Sequence, residues 1–247
     1  MTTADVSASL AESGRLVLPS YERPAGLHPP LDFEGYRSTA LRHPKQPLVL
    51  LPHRLTEVTG PLLGDNLITA TDSDLTTQHD GEPQGQRIIV TGQVLDSDGR
   101  PVPDTLIEIW QTNASGRYMH PGDRHDAPLD PNFPGIGRTF TDEEGRYRFL
   151  TIRPGSYPWQ NHPYAWRPAH IHFSLLGNAP VQRLITQMYF PGDPMLALDP
   201  VYHGVPDASA RERMVCKLAL ETGIEGVATG YRFDIVLGGA KSTPLGI

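Results

Sequence analysis

One cysteine, Cys216, stands in a chain of 247 residues. A lone thiol excludes an intrachain disulfide framework and any multi-thiolate metal site, and it fits a reducing compartment. Long apolar runs are missing too. The longest aliphatic stretch is Leu48 to Leu51, far short of the roughly 20 residues that a membrane helix needs. Nor is there a basic cluster. Lys and Arg number 21 against 28 Asp and Glu, for a formal net charge of −7, and the basic residues are scattered. Nucleic acid and anionic membrane surfaces are therefore not expected as partners. The N-terminus, MTTADVSASLAES, has neither a basic start nor an apolar centre. It does not read as a secretory signal, and a soluble, cytoplasmic protein is expected.

What the chain does contain is turn chemistry. It holds 24 Gly and 25 Pro, too many for a helical bundle and suited to short strands joined by tight turns. A 38% hydrophobic content still allows a real core. Residues 1–20 read as a tail and 21–86 as a Pro-rich, irregular segment with one short helix near Tyr36 to Arg42. Such a stretch is too long for an ordinary loop, so it is expected to wrap a surface or another subunit. From Arg87 onward the texture changes. RIIVTGQVL, TLIEIWQT, RTFT, RYRFLTI, PAHIHFSLL, RLITQMYF and YRFDIVLGG each read as a strand, with DSDG and DEEG as turns. Between the last two strands, residues 206–218 read as a helix capped by Asp207. The expected fold is all-β, an antiparallel sandwich over 87–247 with one or two short helices and 1–86 as the wrapping segment.

Within the strand Ala169-His170-Ile171-His172-Phe173, alternate side chains share a face, so His170 and His172 project together. By spacing alone this pair reads equally as polar surface or as half of a metal site. A thiolate partner is excluded, and HIH carries no carboxylate of the 2-His-1-carboxylate kind. Tyrosines are plentiful nearby. A free phenol titrates near 10, so only a hard, strongly Lewis-acidic ion such as Fe³⁺ would hold it as phenolate. Two phenolates and a hydroxide would also cancel three positive charges and let the site lie buried.

The segments WQTNASGRY, DPNFPGIGR, YPWQNHPYAWRPAHIHF and LITQMYFPGDP resemble the intradiol ring-cleaving dioxygenases. Within them the match is to the iron-binding β chains that act on protocatechuate, and it runs from about Tyr36 to Gly238. The set Tyr118, Tyr157, His170 and His172, at spacings of 39, 13 and 2, matches the family pattern at each ligand position. The resemblance implies a prealbumin-like sandwich and one Fe(III) per chain. Tyr157 and His172 would be axial, Tyr118 and His170 equatorial, with a hydroxide completing the shell.

It further implies that Arg167 and Gln187 lie beside the substrate, Arg167 stabilising charge that grows on the ring. Trp159, Val201 and Trp110 would line the pocket, and Tyr36 would reach the substrate carboxylate. Trp110 also reads as core, since it sits in an apolar strand. Asp123 matches a position behind the ligands and equally reads as a loop acid, and His162 and Tyr164 read as loop. Gln160 departs from the basic residue of some relatives. The implied reaction is cleavage of 3,4-dihydroxybenzoate by O₂ to 3-carboxy-cis,cis-muconate, with Tyr157 as base. The implied partner is a homologous α chain, which would supply the cation that this chain lacks beyond Arg167. Two other readings stay open: a homodimeric catechol or hydroxyquinol 1,2-dioxygenase, and a non-catalytic β-sandwich module that binds a ligand. The Pro-rich segment 1–86 speaks against a helical dimerisation region, whereas VTGQVLDSDGRPVPDTLIEIW suits a binding module equally well.

Overall fold

Alternation of apolar and polar residues builds two stacked sheets. The computed structural model describes residues 26–49, 68–69, 71–159, 161–162, 165–176 and 184–246. The tail 1–20, Gln160 and Tyr164 lie outside the described residues. In the first sheet the long strand β1 (Arg87–Asp96) runs antiparallel to β4 (Arg146–Ile152). In the second, β3 (Ile136–Phe140), β2 (Leu106–Trp110), β7 (His170–Leu176) and β8 (Leu184–Tyr189) follow in that order, all antiparallel. Tyr147 and Phe149 of β4 point inward between Arg146 and Arg148. Ile107, Ile109, Ile171 and Phe173 meet them from the facing sheet. Phe173 sits at the centre, its ring 5.8 Å from Phe149 and 5.2 Å from Phe233. Side chains of this size, removed wholly from water, each contribute on the order of 1.5–3 kcal/mol.

The C-terminal part of the chain departs from the strands expected of it. YRFDIVLGG forms two strands, β10 (Thr229–Arg232) and β11 (Ile235–Leu237), which both pair in parallel with β1. Between them the Asp234 carboxylate accepts from Gln93 N–H at 3.0 Å and pairs with Arg232, so a side chain replaces a rung of the ladder. The helix expected over 206–218 is only α3 (Ala208–Glu212), its N-cap Asp207 accepting from Ala210 N–H. It stops because the following residues are drawn into sheet contacts. Tyr189 N–H donates to Met214 O at 2.8 Å and Tyr189 O accepts from Cys216 N–H at 2.9 Å, bridging Val215 to the edge of β8, and β9 (Lys217–Leu218) pairs with β10. Two further α-helices of four residues occur among the described residues, α1 (Thr39–Arg42) and α2 (Pro200–His203).

Residues 72–75, N-terminal to the sandwich, lie along it. Leu75 N–H donates to Leu150 O at 2.9 Å, Arg138 N–H donates to Asp72 O at 2.9 Å, and the Leu75 side chain is fully buried in the core. No helix of the described residues is long and apolar enough to cross a membrane.

Candidate metal centre

The outer face of the second sheet carries the site. Strand β7 sends Ile171, Phe173 and Leu175 into the core and turns His170 and His172 the other way, as the alternation requires. Antiparallel register then fixes the neighbours. His172 lies opposite Trp110 on β2 and Gln187 on β8, while His170 lies opposite Tyr189. Trp110 stacks on His172 at 4.7 Å with the rings 2° from parallel. It is half-buried and lines the cavity, so it is a wall of the site rather than core.

Tyr118 and Tyr157 arrive on two loops locked back to back. Gly116 has φ +80°, and a Cβ there would meet Ser156 O at 2.0 Å. Thr112 Oγ1 donates to Gly155 O at 2.8 Å, and Gly155 N–H donates to Asn113 O at 2.9 Å. Asp123 accepts from Tyr118 N–H and His125 N–H, each at 2.8 Å. It therefore braces the Tyr118 backbone from behind. Tyr157 opens a short ribbon, β5 (Tyr157–Pro158) against β6 (Trp166–Arg167), with Tyr157 opposite Arg167.

These elements bring the four expected ligands together. Tyr118 Oη is 3.1 Å from His172 Nε2, and the two His Nε2 atoms are 3.2 Å apart. The Tyr118 and Tyr157 rings meet edge-on at 5.4 Å, and Tyr157 lies 5.6 Å from the His170 ring. His170 Nδ1 is 2.7 Å from Pro168 O. A carbonyl can only accept, so Nδ1 carries the proton and Nε2 presents a lone pair. That lone pair faces His172 Nε2. Among the described residues no group of three or more His, Cys, Asp or Glu could hold a metal ion, and the side chains that meet this His pair include the phenols of Tyr118 and Tyr157. Two imidazole nitrogens and two phenols converging on one point fit a hard cation. Burial acts on each group in the direction that keeps it neutral without one. It raises Tyr118 well above the usual phenol range, helped by Tyr157, and it raises Tyr157 against the pull of Arg167. Burial and then Arg167 push His170 well below its usual value and His172 down to about 3.

Tyr118, Tyr157, His172, Trp110 and Trp159 border one cavity of about 1210 Å³. Tyr36 packs on Trp159 at 4.6 Å from outside that lining, and the Arg42 guanidinium lies 4.9 Å from the Tyr36 ring. Val201 is buried within α2 and does not border the cavity. Arg167 and Gln187 also sit one layer behind the wall, 2% and 1% exposed. Arg167 Nε donates to Asp199 Oδ1 at 2.8 Å, and Nη2 reaches Gln187 Oε1, Tyr189 Oη and Asp199 Oδ2. The sequence reading missed Asp199, whose signal was the Asp-Pro that starts α2. It also missed Tyr189, which shares a strand face with Gln187. Arg124 was overlooked as well: it is the one Arg or Lys on the cavity lining among the described residues.

The chain is similar to known proteins over most of its length. The family described as "Dioxygenase" matches residues 58–239, and the "Protocatechuate 3,4-dioxygenase beta subunit N terminal" family matches residues 21–54. The chain belongs to the intradiol dioxygenase family, whose members are non-haem iron enzymes. It is 55% identical to the protocatechuate 3,4-dioxygenase beta chain of Burkholderia cepacia, over 90% of this chain and 93% of that one. It is 28% identical to the alpha chain of the Pseudomonas putida protocatechuate 3,4-dioxygenase, over 80% and 97% of the two chains. Among solved structures, 3-chlorocatechol 1,2-dioxygenase from Rhodococcus opacus 1CP superposes with a TM-score of 0.52 at 26% identity, covering 67% of this chain and 64% of that one. The family and the sandwich expected from the sequence both hold, and the non-catalytic binding module is set aside.

Proposed function

We propose that this chain is the iron-bearing β subunit of an enzyme that opens 3,4-dihydroxybenzoate between its two hydroxylated carbons. The observation that carries the reading is that His172 Nε2, on the wall of the cavity, lies 3.1 Å from Tyr118 Oη and 3.2 Å from His170 Nε2. Tyr157 would complete a donor set suited to one Fe(III) per chain. A ferric ion held there would supply the Lewis acidity that stabilises bound phenolates at neutral pH. Both atoms of O₂ enter the product, 3-carboxy-cis,cis-muconate, so no external reductant is consumed.

The side chains around that ion have separable tasks. Tyr157, as the phenolate that such an ion would hold, would take a proton from a substrate hydroxyl at Oη, and the burial that raises its pKa favours the neutral phenol so formed. Trp110 and Trp159 wall the aromatic ring, with Tyr36 backing Trp159. Arg167 places positive charge behind the wall, where it stabilises charge growing on the ring, and Gln187 is held beside it. Because Asp199 already pairs with Arg167, the substrate carboxylate needs another cation. Arg124 of this chain contributes, and a homologous α chain closes the remaining side. Its existence is supported by the named beta and alpha chains among the relatives.

The test is product analysis of the co-expressed αβ complex with protocatechuate under ¹⁸O₂. The expected product is the carboxymuconate carrying two labelled oxygens. An aldehyde-bearing product, cleaved beside the two hydroxyls instead of between them, would refute the assignment. Full activity of the isolated chain would remove the α subunit from it.

A further inference from the structure

Arg167 is held by more contacts than charge neutralisation requires. Its guanidinium meets the Asp199 carboxylate at two points, Nε to Oδ1 at 2.8 Å and Nη2 to Oδ2 at 3.2 Å. A side-on grip of this kind fixes the plane of the guanidinium as well as its position. Asp199 is itself immobilised. It is fully buried, and its two oxygens also accept from Val201 N–H and Tyr202 N–H, as the N-cap of α2. On the other side, Nη2 reaches Tyr189 Oη at 3.0 Å, and Tyr189 donates to Gln187 Oε1 at 3.0 Å. The Tyr189 ring in turn lies 5.8 Å from the His170 ring. All these bonds use Nε and Nη2. Nη1 makes no hydrogen bond to a described residue, while Cζ sits 5.4 Å from the Trp159 ring that borders the cavity.

We propose that Asp199 is a positioning residue for the reaction: its carboxylate fixes the plane of Arg167 against α2, so that the unclaimed Nη1 edge is held in one orientation beside the site. The proposal rests on the functional reading above and adds to it a buried residue that does not border the cavity. Asn at 199 can still cap α2 but cannot grip the guanidinium at two points, so the cap and the grip are separable.

The experiment is a double-mutant cycle on the co-expressed αβ complex, with Asp199→Asn, Arg167→Lys and the pair. In the wild-type background D199N is expected to lower kcat about 10- to 100-fold while KM changes less than about threefold. In the R167K background, which has no guanidinium plane to orient, D199N is expected to cost less than about twofold. A second readout needs neither iron nor turnover. In the metal-free protein the Arg167 Nε–H NMR signal is expected to exchange slowly with water, and at least tenfold faster in D199N. Should D199N yield no folded complex, Asp199→Glu takes its place, since it keeps the charge and displaces the carboxylate by one methylene. Equal losses in both backgrounds, or unchanged Nε–H exchange, would overturn the role of Asp199. Absence of ring opening by the wild-type complex would instead overturn the functional reading, and the wild-type arm reports that separately.

Discussion

His170 and His172 face each other through their Nε2 atoms across 3.2 Å. With the His170 proton committed to Pro168 O, at least one side of that gap is a lone pair. Such an arrangement is satisfied by a cation between the rings. Replacing either histidine by Ala is expected to remove about nine-tenths of the bound iron, measured by elemental analysis of purified protein. Tyr157→Phe is expected to keep a substantial fraction, because Tyr118 and both imidazoles remain. Equal iron in His172→Ala and wild type would contradict the ligand set.

Tyr118 and Tyr157 predict a colour. Phenolate bound to Fe³⁺ absorbs visible light by charge transfer, so the iron-loaded protein should be red-brown. Tyr118→Phe and Tyr157→Phe should each weaken or shift the band in the visible spectrum. An iron-replete but colourless protein would show that neither phenol is a ligand.

Acid stability follows from His172. Its imidazole titrates near 6.5 in an unfolded chain and at about 3 when folded, through burial and then the nearby Arg167 charge. Between those values the unfolded state binds more protons, so the stability of the metal-free protein falls as pH is lowered through this window. The slope from this one group is at most about 1.4 kcal/mol per pH unit. Urea midpoints measured from pH 7 to pH 4 should drop less steeply in His172→Gln than in wild type. Identical slopes would mean that the buried imidazole does not resist protonation.

The parts of this site visible in the sequence were those written in local patterns. Alternation in Ala169 to Phe173 put both histidines on one face, and the structure keeps them there. Composition and turn signals marked most strands of the sandwich. What the sequence hid was contact between distant segments. Asp199 lies 32 residues beyond Arg167, and only the fold brings its carboxylate to the guanidinium. The helix expected through residue 218 failed for a similar reason: Asp207 marked where it starts, but the edges of β8 and β10 captured the backbone after Glu212. Arg124 sits in a loop with no periodic pattern, and its place on the cavity wall is set by the bracing of Tyr118 and His125 by Asp123.

Gly116 gives a test of how the two tyrosine loops are held. Both Gly116 and Gly99 have φ +80°, a conformation that costs a side chain about 1 kcal/mol or more. Their surroundings differ. A Cβ at Gly99 meets nothing within 4 Å, whereas a Cβ at Gly116 meets Ser156 O at 2.0 Å. Gly99→Ala therefore measures backbone strain alone, and it should destabilise the protein by about 1 kcal/mol with iron content unchanged. Gly116→Ala adds a clash with the backbone of the residue before Tyr157, and the loops must separate to relieve it. The expected outcome is a larger loss of stability, about 2 kcal/mol or more, together with weaker iron binding and an altered visible band. If Gly116→Ala matched Gly99→Ala in both denaturation and iron content, the close apposition of these loops would not be what sets the distance between Tyr118 and Tyr157.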